Sequence, residues 1–225
     1  MYKIVTFLPA LLALLFASSC RKKIKSEKGG IDLFSNVYHD ASKGLNNVQN
    51  FHLSRLNYSG DIIIELVPDL AVPEITAEIF YIRDSLCYSL NQESRSTLLP
   101  QISRNKKPVP VAKKKSGALF SREWIPNYLH RKNLRDTVLF GKKYKRFEVI
   151  SPTTLARYYI YPTDTLLPYT IYHHAEEDYG GRLERIDAYS RDKDMFVTLQ
   201  LLPRKNWDAE AQDIFDFNEF AKGQK

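Results

Sequence analysis

Ile75-Thr76-Ala77-Glu78-Ile79-Phe80-Tyr81-Ile82 is the stretch on which the fold turns. It is rich in β-branched and aromatic residues, and the alternation of an extended chain puts Ile75, Ala77, Ile79 and Tyr81 on one side. Phe196-Val197-Thr198-Leu199-Gln200-Leu201 repeats the pattern with Val197, Leu199 and Leu201. Outward from these two, similar runs bounded by Pro, Gly, Asn and Asp predict strands over 61–67, 75–82, 86–90, 137–140, 144–150, 155–161, 169–174, 183–189 and 195–202. Such closely spaced strands imply antiparallel meanders. There is no strand-helix alternation and no Gly-rich phosphate loop, which excludes nucleotide-binding α/β folds.

The chain of 225 residues is 44% apolar, enough to bury a core. Its 9 Gly and 2 Cys exclude collagen-like and disulfide-framework classes. Upstream of the strands, Val37, Ala41, Leu45 and Val48 recur at helical spacing and predict a helix packed on the sheet. Residues 91–116 read as a long irregular insertion ending in six basic residues and two prolines without an acid, expected to be extended and solvated. Short helical turns are expected around Pro126. In the tail, Trp207, Ala211, Ile214 and Asn218 fit a helix capped by Asn206, while 214–217 can also be read as a last strand.

Charge is uneven. Residues 104–135 hold ten Lys+Arg and one Glu, whereas 164–220 hold 13 Asp+Glu and six Lys+Arg. Aromatic interleaving is sparse in the basic block, so anionic lipid headgroups fit it better than nucleic acid. The adjacent His173 and His174 would point to opposite faces of a strand and could not share an ion, so no metal site is expected. Arg182, Glu184, Arg185 and Asp187 suit cross-strand ion pairs on a wet face. No nucleophile, oxyanion or metalloprotease motif occurs, which predicts a non-enzymatic protein without a cofactor.

Residues 1–19 have a basic start, an apolar run over 4–17 broken by Pro9, and small residues before Cys20. The stretch Leu15-Phe16-Ala17-Ser18-Ser19-Cys20 resembles a bacterial lipoprotein signal of the Bacteroidetes type, in which the cysteine is acylated, typically with palmitate, and becomes the new N-terminus. An ordinary secretory peptide or an uncleaved anchor is the other reading. Residues 20–30 then form the lipidated cysteine and a flexible basic tether, 31–220 a single β-rich domain, and 221–225 a tail. Cys87, on an alternating strand, is expected to be a buried free thiol.

A second resemblance covers about 36–217. Tyr158-Tyr159-Ile160-Tyr161-Pro162-Thr163-Asp164-Thr165-Leu166-Leu167-Pro168, then Gly180-Gly181 in a hairpin, then Ile214-Phe215-Asp216-Phe217, follow the order seen in the lipoprotein-carrier superfamily of LolA, LolB and RseB type. The resemblance implies an α+β fold: a curved, incompletely closed antiparallel sheet, or half-barrel, wrapped around N-terminal and insertion helices. The lipoprotein signal, followed by Arg21 and not by the Asp that retains such proteins at the inner membrane, implies an outer-membrane-anchored lipoprotein facing the periplasm. Its apolar concave face, supplied by Ile75, Ala77, Ile79, Tyr81, Val197, Leu199 and Leu201, would bind a lipid or a lipoprotein acyl group. The alternative is an envelope scaffold whose core is filled by its own side chains.

Overall fold

The computed structural model describes residues 23–91 and 97–223. The leader at 1–19 and Cys20 lie outside the described residues. In chain order the strands are β1 (Ile24–Lys25), β2 (Lys28–His39), β3 (Val48–Ser59), β4 (Ile62–Pro68), β5 (Thr76–Arg83), β6 (Leu86–Leu90), β7 (Val109–Pro110), β8 (Lys132–Leu139), β9 (Lys142–Ile150), β10 (Thr154–Tyr161), β11 (Thr165–Leu166), β12 (Arg182–Ser190) and β13 (Met195–Arg204). Eleven of them form one antiparallel sheet in the order β7-β6-β5-β4-β3-β2-β13-β12-β10-β9-β8. Its outer strands β7 and β8 are not paired with each other, so the sheet is open. β1 and β11 pair in parallel beside it. The helices are α1 (Leu99–Asn105), α2 (His173–Tyr179) and α3 (Ala209–Gly223).

Register sorts the side chains onto two faces. Leu201 opposes Leu33, and Leu56, Glu65, Phe80 and Ser89 oppose one another across β3 to β6 on that same face. Val111, Ala118 and Tyr169 cover it, with Phe120, Leu167 and Ile171 half buried at their margin. Further along, Ile125, Tyr128 and Ala175 of α2 cover Phe147, Tyr158 and Leu183. On the other face Ile64, Leu66, Ile79, Tyr81 and Tyr88 pack under α1 and under Ala211, Ile214 and Phe215 of α3. Each fully buried aliphatic or aromatic side chain here contributes about 1.5–3 kcal/mol.

Several expectations are corrected. No helix spans 37–48: β2 continues through Val37, Asp40 takes the left-handed conformation at φ 51°, and Val48 opens β3. The helical spacing was a coincidence of two strands and the turn between them, whose Leu45 is exposed. The tether is shorter than 20–30, because Ile24 already pairs with Thr165 and Lys28 with Ser59. Gly29 and Gly30 are buried in β2, where a Cβ would meet the Tyr58 hydroxyl at 2.7 Å and the Arg204 guanidinium carbon at 2.6 Å. They serve close approach, not flexibility.

Where it is described, the basic insertion stays largely exposed, with Arg104, Lys107, Lys113 and Lys115 in solvent, but it is not irregular. It forms α1, then β7 paired to β6, then a strap over 111–118 laid on the sheet. No strand forms over 169–174; this segment covers the sheet and leads into α2. Gly180, at φ 59°, ends α2 instead of turning a hairpin. The tail is helical, with Ala211 and Ile214 inward.

Candidate functional site

β4 reads Ile62-Ile63-Ile64-Glu65-Leu66-Val67, a lone carboxylate among apolar residues. Both β4 faces are covered, so the Glu65 side chain is 0% exposed. The strap supplies its partner: the Lys114 ammonium, 3% exposed, sits 2.9 Å from one carboxylate oxygen and 3.1 Å from the other. Ser54 donates its hydroxyl hydrogen to Glu65 at 2.8 Å, and the Ala118 amide donates at 2.6 Å. Burial pushes the Glu65 carboxyl upward, and Lys114 opposes that shift. Gly117, at φ 71°, lets the strap pass close above the carboxylate, where a Cβ would collide with it.

The strap divides one face into two flanking grooves. One, about 540 Å³, runs between Leu53, Val67, Leu70 and Ala77 and the strap residues Lys115 and Ser116. The other, about 460 Å³, has Phe80, Cys87 and Val109 as its floor and Lys113 and Lys115 at its rim. Glu78 borders both and accepts the Ser116 hydroxyl at 2.8 Å. Both volumes fall in the range of small-molecule sites, and an apolar floor below ammonium groups suits an acyl chain with an anionic end. Cys87 is buried as expected, and burial pushes its thiol up to about 11, which leaves it unreactive.

The seven residues expected on one concave face are not together. Leu201 lies in the strap-side core, and Val197 and Leu199 follow it half buried. Ile79 and Tyr81 are on the opposite face, under α3. Ile75 is 58% exposed before β5, and Ala77 borders the larger groove. A register shift between Val67 and Pro68 interrupts the pairing of β4 with β5 beside Ala77. Phe80, Cys87, Glu65 and Lys114 were missed. The acid inside an apolar strand was the available signal, since a buried carboxylate demands a cation.

Elsewhere several buried and half-buried charged groups are paired. Glu184, 3% exposed, accepts from Arg182 at 2.7 Å, from the Tyr144 hydroxyl at 2.8 Å and from Lys142 at 3.2 Å. Arg182 with Glu184 and Arg185 with Asp187 pair along their own strand, not across it; Arg157 with Glu148 is a cross-strand pair. His173 and His174 lie on α2. His173 pairs with Glu177 at 3.1 Å, while His174 stacks on Trp124 and accepts the Ile125 amide hydrogen at 3.4 Å. Among the described residues no three His, Cys, Asp or Glu converge as metal ligands, and no helix is long and apolar enough to cross a membrane.

Glu176 of α2 gives a pH prediction. Burial raises its carboxyl to about 7, against the lowering effects of the Leu183 amide, Arg182 and Lys23. A folded-state value above the ordinary 4.5 means that its contribution is complete below pH 4.5 and is lost as pH rises through 7. Glu176→Gln keeps an acceptor for the Leu183 amide, 3.1 Å away, and cannot ionise. The variant is expected to match the parent in urea unfolding at pH 4.5 and to exceed it by about 2–3 kcal/mol at pH 9. Equal stabilities at both pH values would refute the assignment.

No family model and no curated protein matches the chain. Among solved structures, the crystal structure of a LolA superfamily protein from Nitrosomonas europaea is similar over 82% of this chain and 89% of that one, at 6% identity and a TM-score of 0.31.

Proposed function

We propose that this chain is a non-enzymatic binding protein, held at a membrane through lipidated Cys20, that takes an acyl chain of an anionic amphiphile into the grooves beside the strap. In this reading it is an outer-membrane lipoprotein facing the periplasm, serving lipid or lipoprotein trafficking or envelope sensing. The observation that carries it is the apolar floor of Phe80, Cys87 and Val109 under the Lys113 and Lys115 rim. Hydrocarbon laid there leaves water at about 0.8 kcal/mol per buried methylene, and the lysines favour a carboxylate or phosphate end.

Equilibrium binding of a fluorescent hexadecanoic acid tests it. Val109, on the groove's floor, belongs to the outer strand β7 and is 47% exposed, so Val109→Trp fills the groove without entering the core. Loss of two methylene contacts corresponds to about tenfold weaker binding. Binding that the tryptophan leaves unchanged would remove the site. Labelling with an alkynyl fatty acid tests the anchor: label on the parent and none on Cys20→Ala is expected.

The scaffold reading has one observation in its favour. Phe120, Leu167, Tyr169 and Ile171 already occupy much of the strap-side face, so the chain's own side chains fill what an empty half-barrel would leave open. Absence of fatty-acid binding by the parent protein would select it.

A further inference from the structure

The registers place the start of β2, the turn between β8 and β9, the end of β10 and the start of β12 at one edge of the sheet. The Lys142 ammonium lies 5.0 Å from the Tyr161 ring, which ties the turn to the end of β10. The N-terminal segment is fixed at this edge too, because the Ile24 amide donates to the Asp164 carbonyl at 2.9 Å and Ile24 pairs with Thr165. Cys20 is four residues upstream, so it is within about 14 Å of Ile24.

Phe140 stands at the tip of the turn, 82% exposed, at φ 50° and followed by Gly141 at φ 75°. Two-residue turns with positive φ favour Asn-Gly; a bulky aromatic there is strained and gains nothing from the turn itself. Val138 at 66% and Ile24 at 63% are exposed nearby in the chain order of the same edge. Lys23 and Lys25 flank Ile24 and are exposed, while Lys142 and Lys143 pair with Glu184 at 3.2 Å and Asp136 at 3.1 Å. The opposite edge also exposes Leu70, Val72 and Ile75, among Asp69 and Glu74; the acids on the turns of the Phe140 edge, Asp61 and Asp84, lie 3.8 and 3.5 Å from Arg83, which offsets their charge.

We propose that the edge carrying Phe140 and Ile24 rests on an anionic bilayer, with the two apolar side chains in the interface and Lys23 and Lys25, which flank Ile24, against phosphate headgroups. The proposal rests on the membrane-tethered reading above, and it fixes what that reading leaves open: which end of the sheet faces the lipid. Aromatic rings favour the headgroup level, and unpaired juxtamembrane lysines are attracted to anionic lipid. The larger groove, beside Leu70, then lies toward the far end, away from the bilayer.

The test uses the full chain reconstituted into nanodiscs of phosphatidylethanolamine and phosphatidylglycerol. An environment-sensitive label is placed at Phe140→Cys or at Leu70→Cys in a Cys87→Ser parent, and the parent alone corrects for label elsewhere. A nitroxide lipid is expected to quench the label at 140 about fivefold more than at 70. Equal quenching, or stronger quenching at 70, overturns the orientation while leaving the tether standing. Protein that separates from the discs on flotation overturns both.

Discussion

Replacing Lys114 by methionine is expected to cost the fold about 3–5 kcal/mol at pH 8, because it leaves a fully buried carboxylate without its counter-charge. Glu65 keeps only the Ser54 hydroxyl and the Ala118 amide as donors. These satisfy lone pairs but do not neutralise the charge. The cost has a defined pH dependence. Burial already raises the Glu65 carboxyl above 4.5, and loss of the ammonium raises it further. The variant's folded state then favours the protonated form, so its deficit shrinks toward pH 4.5 and grows as pH rises through the new folded value. Urea unfolding at several pH values reads this directly. A deficit independent of pH would mean that lost packing against Phe80, whose ring centre is 5.1 Å from the ammonium, accounts for the change.

The double variant Glu65→Gln/Lys114→Met separates charge from shape. It removes both ions while retaining acceptors for Ser54 and Ala118, and it is expected to recover most of the loss. Amide exchange over 113–118 should speed up in Lys114→Met and return toward the parent rate in the double variant, because the ion pair holds the strap on the sheet. The same pair shapes both proposed grooves, so fatty-acid binding should fall with strap protection.

This pair also shows how far the sequence could be read. β5, β6 and β12 were legible because period-two alternation survives in short runs with clear turn residues, and Ala211 with Ile214 made the final helix legible. β2 and β3 were not. Asn36, Gln49 and Asn50 dilute their apolar alternation, and a helical register spanning their turn matched by chance. Lys114 was illegible for a different reason: in Lys113-Lys114-Lys115 the three side chains are chemically identical, and only the strap's path aims the middle one inward. Face assignment failed at the bulge beside Ala77, since one extra residue reverses which side every following side chain takes.

Phe147→Ala is expected to be comparably damaging, about 3–5 kcal/mol, through a cavity instead of a charge. Phe147 on β9 is 0% exposed. Its ring stacks on Tyr158 of β10 at 4.6 Å and on Tyr179 of α2 at 4.9 Å, with the Tyr128 ring edge-on at 5.5 Å. One side chain therefore joins two strands, a helix and the turn over 128–130. The periphery of this cluster is polar and depends on it: Tyr128 donates to Asp178 at 3.0 Å, and Arg131 lies 4.1 Å from the Tyr128 ring while pairing with Asp178 at 3.2 Å. Arg131 and Asp178 are partly solvated and contribute little by themselves, so they cannot hold the segment once the ring is gone. Phe147→Leu should cost clearly less than Phe147→Ala, because it retains most of the volume and loses mainly the aromatic contacts. Exchange of the Tyr128 and Arg131 amides should accelerate more than that of β4 and β5 amides in Phe147→Ala. A loss below about 1 kcal/mol would show that the neighbouring tyrosines close the cavity, and that α2 is held by Glu176 and Leu183 without the ring.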